Sequence, residues 1–280
     1  MTMLNSALPA IHDIEGSAIP ESMPYCADAH VHIFPPGIFR AVWKWFDLHG
    51  WPIRYRLRAS EVFEFLLQRG VGHIIALHYA HKPNMARELN RFMAEQCRQF
   101  PHQVSGMATV FPGETESEKI LEDAFASGLK GVKLHAHVQC FDMNSPEMDP
   151  IYHVCSSHAK PIVMHVSREP KSPASSCDPY LICGAEKLER VVNNYPQLKI
   201  CVPHMGIDEF DAHKELIEKY DNLWLDTTMA FADYFPTRHQ LRLPEMRTDR
   251  IMYGSDFPNL PYAWDRELKR RITTVYPMRI

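Results

Sequence analysis

The sequence has no apolar stretch approaching the roughly 18 residues that a membrane-spanning helix requires, which argues against a bilayer-crossing segment. It also has no excess of positive charge. Thirty Lys and Arg stand against 34 Asp and Glu, for a formal net charge of −4, so a basic footprint for nucleic acid or an anionic membrane is missing. The first two dozen residues lack a basic start followed by an apolar core and instead mix Pro, Ser, Glu and Asp. Residues 1–24 therefore suggest a loose N-terminal extension, not a secretion signal. The seven cysteines (Cys26, Cys97, Cys140, Cys155, Cys177, Cys183 and Cys201) include no Cys-x-x-Cys pair. Scattered and odd in number, they suggest reduced thiols in a cytoplasmic protein. No Gly-x-Gly-x-x-Gly follows the first β-prone run, which removes the main argument for a dinucleotide-binding sheet.

What is present is alternation. A chain of 280 residues, 45% hydrophobic and 23% charged, suits one large domain over residues 25–280 with a substantial core. Short β-prone runs are expected at Tyr25–His32, His73–Leu77, Val104–Thr109, Gly131–Leu134, Pro161–His165, Lys199–Pro203, Leu223–Asp226 and Arg250–Tyr253. Helical patterns lie between them at Ser60–Arg69, Lys82–Phe100, Ser117–Ser127, Pro150–His158, Ala185–Asn194 and Asp208–Lys219, with a vaguer stretch after Thr228. Gly70 and Gly128 stand just past the helices they would cap. The strands are largely apolar, as when both faces are covered. Eight strands alternating with helices predict an α/β chain folded as a (β/α)8 TIM barrel, ahead of an open doubly wound sheet.

Two connections distort that regularity. Phe34–Leu57, after the first strand, carries Trp43, Trp45, Phe46, Trp51 and Tyr55. It suits either a helix packed on the barrel or a lid over the mouth, where a residue such as Trp43 could touch substrate. Ser167–Gly184, rich in Ser and Pro, follows the fifth strand onto the same face.

Sixteen histidines are too many for all to serve chemistry. His12, His49, His102, His158, His213 and His239 fall in helices or loops and are expected to be structural or surface residues. His30 and His32, in Asp28-Ala29-His30-Val31-His32, differ from these. Residues two apart on a strand share a face, so both imidazoles can address one point. His165 closes Ile162-Val163-Met164, His204 follows Ile200-Cys201-Val202-Pro203, and Asp256 follows Ile251-Met252-Tyr253-Gly254-Ser255. Polar residues that close apolar strands occupy the catalytic end of this fold. In a closed barrel the first and eighth strands are neighbours, which would carry Asp256 to the histidine pair.

These motifs, with Gly131-Val132-Lys133-Leu134-His135, Pro203-His204-Met205-Gly206 and Gly254-Ser255-Asp256-Phe257-Pro258, resemble the amidohydrolase superfamily from about Tyr25 to Trp264. The likeness is to the amidohydrolase-2 group of metal-dependent hydrolases and decarboxylases. It implies that His30, His32, His165 and Asp256 bind one divalent metal ion, commonly zinc, with His204 and Asp256 as catalytic groups and Asp28 behind the ligands. Some superfamily members carboxylate a fourth-strand lysine to bridge two metals; Lys133 stands at that position, and there His165 and His204 would bind the second ion. His135, with His137, is expected in the pocket, and Arg168 could hold a substrate carboxylate. After Asp256 the chain departs from the family pattern. Only Tyr262–Val275 remains for a short C-terminal helix, leaving part of the barrel for the N-terminal extension or a second copy in a homodimer to cover.

The expected function is hydrolysis of a small carboxylic ester, amide or lactone by metal-activated water. The alternative is non-oxidative decarboxylation of an unsaturated or aromatic acid, and the third reading is a barrel that binds metal or ligand without catalysis. The expected partner is a small-molecule substrate.

Overall fold

The short apolar runs become eight parallel strands closed into a barrel, with helices on its outside. The computed structural model describes residues 11–269, apart from residues 21, 22, 24, 170, 173 and 233–242. The strands are β1 (Ala27–His32), β2 (His73–Leu77), β3 (Val104–Gly106), β4 (Val132–His135), β5 (Ile162–His165), β6 (Ile200–Val202), β7 (Leu223–Asp226) and β8 (Ile251–Met252). Ladders join β1 to β3 and β4 to β8 in sequence order, and every pairing is parallel. Single pairings close the two seams, Ala108 with Val132 and Val31 with Phe257. At the seams the Lys133 N–H donates to the Ala108 carbonyl and the His32 N–H to the Phe257 carbonyl, each at 2.7 Å. The sequence placed β2 and β7 to the residue. It drew β3 longer, because the chain beyond Gly106 continues only as that isolated bridge.

The period of two sorts side chains into two environments. Ile162 and Met164 on β5, and Leu223 and Leu225 on β7, turn outward into the large core beneath the helices. Val163 and Trp224 turn inward to a smaller cluster with Leu77, Met107 and Cys201 in the lower barrel. Continuing upward by two, the inward positions become Lys133 then His135 on β4, His165 on β5 and Asp226 on β7. The register sets His135 directly beside His165. The barrel interior is thus apolar at the strand starts and polar at the strand ends.

The helices are α1 (Pro36–His49), α2 (Ala59–Leu67), α3 (Ala86–Arg98), α4 (Ser117–Ala126), α5 (Ala136–Gln139), α6 (Asp149–Ser157), α7 (Pro179–Ile182), α8 (Ala185–Asn194) and α9 (Phe210–Lys219). α2 starts one residue before the Ser60 expected, because the Glu61 carboxylate accepts the Arg58 backbone N–H at 2.6 Å. Gly70 and Gly128 take φ of +93° and +105° past α2 and α4, the left-handed turn that glycine favours. The expected helix after Thr228 falls largely on residues 233–242, outside the described residues. That connection otherwise contains 3₁₀ turns at Leu243–Glu245 and Thr248–Arg250. The expected short C-terminal helix is helical over 266–269, and its remainder falls on residues 270–280, outside the described residues.

The described part of the N-terminal extension is not loose. Tyr55 Oη donates to Glu15 at 2.5 Å, Arg266 to Asp13 at 2.8 Å and the Gly16 N–H to Asp265 at 2.7 Å, while the Trp264 indole donates to the Gly16 carbonyl at 3.1 Å. Glu15 pairs with Arg54 and Arg69, which flank α2, and Asp13 with Arg266 after β8, so the extension is strapped to the outside of the barrel. Among the described residues, no helix is long and apolar enough to cross a membrane.

Candidate metal centre and active site

Strand ends deliver three donors to one point. His30 Nε2 and His32 Nε2 are 3.1 Å apart, and Asp256 Oδ1 lies 3.1 Å from His32 Nε2 and 3.6 Å from His30 Nε2. Ligands at about 2.1 Å from a common ion and at tetrahedral angles stand roughly 3.4 Å apart. The triangle of two imidazoles and one carboxylate therefore fits a divalent cation. Asp256 reaches it because the chain after β8 runs beside β1, with the Asp256 N–H donating to the His30 carbonyl at 2.9 Å, and because Asp256 adopts a φ of +68°.

A carboxylate that the sequence reading missed orients the pair. Asp226, wholly buried at the end of β7, accepts the His30 Nδ1–H at 2.7 Å. That bond selects the tautomer whose Nε2 lone pair points into the triangle. Asp226 Oδ1 also accepts the backbone N–H groups of His204 and Thr228, each at 3.1 Å. Burial pushes the His30 ring down to about 3, with the nearby Lys133 charge adding to it, so the imidazole stays neutral. Burial would raise the Asp226 carboxyl, but its charge interaction and hydrogen bond with His30 hold it well below the usual range. Burial also depresses His32. The signal for Asp226 was present, a polar residue closing an apolar strand, the same one that marked His165.

His165 stands apart from the triangle. Its ring stacks on His135 at 4.1 Å and lies 4.7 Å from the ring of His204. Its Nε2 has no hydrogen-bond partner and is 3.6 Å from Glu169 Oε2, beyond bonding distance. Burial pushes it down to about 3. His135, His137 and His165 also bring ligand atoms within 4.8 Å of one another. Both nitrogens of His137, however, face acceptors, Glu169 Oε1 at 2.5 Å and the Ser167 carbonyl at 2.9 Å. Neither nitrogen is left free for an ion, so the group around His30 is the stronger candidate. Glu169 sits in an irregular loop, where no period marks it. Burial would raise its carboxyl, but the hydrogen bond with His137 and the nearby His165 ring keep it well below the usual range.

His204 stands between the two groups, its ring 5.7 Å from that of His30. It takes a φ of +59°, and its Nδ1–H donates to the Thr228 carbonyl at 3.1 Å, which leaves Nε2 as the free lone pair. Asp28 is buried beneath the His30 pair, accepting the N–H groups of His30 and Ser255 at 3.1 Å each. Lys133 Nζ is fully buried without a hydrogen-bond partner, and burial pushes it down to about 8, opposed by Asp226 and Asp256.

The other expected substrate residues fare differently. Tyr79, which the sequence reading did not single out, stands edge-on to both His135 and His32, at 4.9 and 5.8 Å, so His135 and Tyr79 form one wall of the mouth. Trp43 stacks on Phe39 at 5.2 Å, and Phe39 meets Phe34, so among the described residues its ring contacts lead to the site through two other rings. The Arg168 guanidinium pairs with Glu186 at 2.5 Å and Glu209 at 3.2 Å, which ties the loop after β5 to α8 and to the turn before α9 instead of presenting a free cation to the mouth.

A model of the amidohydrolase family matches residues 27–275, nearly the whole chain. The protein belongs to that family. A search of curated proteins returns no match. Solved structures with the same fold include an uncharacterised TIM-barrel protein from Bordetella bronchiseptica (14% identity, TM-score 0.70, covering 90% of this chain and 92% of that one). Another is a manganese complex of 5-carboxyvanillate decarboxylase from Novosphingobium aromaticivorans (18%, TM-score 0.61, 95% and 94%). A third is a probable 2-pyrone-4,6-dicarboxylic acid hydrolase from Acinetobacter baumannii with citric acid bound (16%, TM-score 0.59, 89% and 91%). The amidohydrolase family is metal-dependent, and the triangle of His30, His32 and Asp256 supplies the donor chemistry such an ion needs.

Proposed function

We propose that this amidohydrolase hydrolyses a small carboxylic ester, amide or lactone with metal-activated water. The observation that carries the reading is the pairing of a cation-sized donor triangle with His204, whose Nδ1–H is anchored on Thr228 and whose Nε2 is free to move a proton. His30, His32 and Asp256 hold the ion, zinc in this proposal, and His165, a buried imidazole whose Nε2 has no hydrogen-bond partner, is the candidate fourth ligand. A divalent ion supplies Lewis acidity there, polarising a carbonyl and acidifying water. Asp226 fixes the His30 tautomer, Asp256 and His204 share the proton traffic, and His135 with Tyr79 walls the acyl group.

A second reading, decarboxylation of a planar acid, is favoured by the aromatic wall. Phe34 stacks on His32 at 6.1 Å with rings 7° apart, and Tyr79 stands edge-on to both. Turnover in ¹⁸O-labelled water separates the two. Hydrolysis puts the label into the product carboxylate, whereas carbon dioxide release without incorporation moves the assignment to decarboxylation. Under the hydrolytic reading, His204→Gln loses roughly 10²- to 10⁴-fold in kcat while keeping its metal. Full metal content and full turnover in His30→Ala would sink both readings.

A further inference from the structure

The loop after β5 carries a thiol that the proposed chemistry leaves unused. Cys177 lies on that loop, and Cys140 closes α5 with a φ of 53°. Their sulfurs converge on one acceptor. Cys177 Sγ is 3.3 Å and Cys140 Sγ 3.7 Å from the His137 carbonyl oxygen, and Cys140 Sγ lies 2.9 Å from the hydroxyl of Ser176, the residue before Cys177. Cys140 is exposed and Cys177 half-buried, whereas Cys26, Cys155, Cys183 and Cys201 are buried. Both sides of this contact lead to the mouth. The His137 ring binds Glu169, which lies eight positions before Cys177 on the same loop.

We propose that Cys140 and Cys177 form a peroxide-responsive dithiol that closes to a disulfide and ties the mouth loop to α5. Cys140, the exposed sulfur, attacks one oxygen of a hydroperoxide. The O–O bond breaks, the sulfur becomes a sulfenic acid, and the departing hydroxide leaves as water with the proton that the Cys140 thiol gave up. Cys177 then attacks that sulfur. An S–S bond forms, the S–O bond breaks, and the second hydroxide takes the Cys177 proton and leaves as water. Two thiols are oxidised and one hydrogen peroxide is reduced to two waters. Burial, with the neighbouring Cys140 adding, pushes the Cys177 thiol up to about 12, so the exposed Cys140 takes the first step and Cys177 gives up its proton only as it attacks the sulfenic sulfur. The bond would replace weak S–H contacts with a covalent closure of the loop that holds Glu169 and Arg168.

The test is covalent and does not depend on the metal or the substrate. The full-length protein is treated with one equivalent of hydrogen peroxide and its mass, thiol count and peptides are measured. The expected result is a loss of about 2 Da, reversed by dithiothreitol, with a peptide joining Cys140 to Cys177. Free thiols fall from seven to five. Cys140→Ser and Cys177→Ser each abolish the loss, and Cys97→Ser retains it. Trypsin cleavage after Lys171 slows roughly tenfold in the oxidised protein, since local opening of the loop is restricted. A bridge from Cys177 to Cys183, oxygen added to Cys140 without a bridge, or cleavage unaltered by oxidation overturns the proposal.

Discussion

At the scale of the residue, the site depends on which nitrogen of His30 carries its proton, and one carboxylate decides it. Removing the charge while keeping the shape should separate orientation from ligation. Asp226→Asn is expected to weaken divalent-metal affinity by about 10- to 100-fold without unfolding the barrel, measured by competition with a chelator of known affinity. Unchanged affinity would mean that the Asp226 contact does not set the tautomer. Lys133 tests the metal count. If one ion serves the site, Lys133→Met keeps one equivalent of metal, because an unpaired buried amine is replaced by an apolar chain of similar length. Loss of metal in that variant would instead point to a carboxylated, bridging lysine. His30 and His32 were legible because a strand repeats every two residues. Glu169 was not, because its partner, His137, comes from another strand's connection.

At the scale of the element, the turn after β6 presents His204 on strained backbone. His204, Met205 and Ile207 take φ values of 59°, 54° and 46°, and Gly206 among them takes +85°. Non-glycine residues in this region persist only where their surroundings hold them, here through the Asp226 and Thr228 contacts of His204. A Cβ on Gly206 would lie 2.5 Å from His213 Nδ1, an atom fixed by the Glu209 carbonyl at 3.0 Å. Gly206→Ala is therefore expected to cost about 2–4 kcal/mol in urea denaturation and to lower kcat by displacing His204. A shift in stability below about 0.5 kcal/mol would show that the turn yields freely. The helix patterns of α8 and α9 were readable from spacing, but this turn was not, since Pro203-His204-Met205-Gly206 carries no sign of its left-handed run.

At the scale of the whole molecule, the buried neutral histidines make the fold sensitive to acid. Burial pushes His30, His78 and His165 each down to about 3, against 6.5 when exposed. As pH falls from 6.5 towards 3, the unfolded chain binds protons that the folded state refuses, so stability present above pH 6.5 is lost. Asp28, pushed up to about 7 by burial, acts the other way between 3.8 and 7, because there the folded state holds the extra proton. Three protons against one leave a net slope of at least about 2 kcal/mol per pH unit near pH 5.5. Urea midpoints of the metal-free protein at pH 7.5 and pH 5 should diverge accordingly. Equal midpoints would show that these rings are solvated before the chain unfolds.

The sequence by itself determined the alternation of strands and helices, the closed barrel, and the His-x-His pair with a distant aspartate, because each follows from local periodicity and from where an apolar run stops. Only the tertiary structure decided which polar atoms meet. It converged His30, His32 and Asp256, set His165 beside His135, committed Arg168 to Glu186 and Glu209, and supplied Asp226, Glu169 and Tyr79. The physical reason is that a strand's period fixes the face a side chain occupies, whereas its partners depend on the register between strands and on loops that carry no period at all.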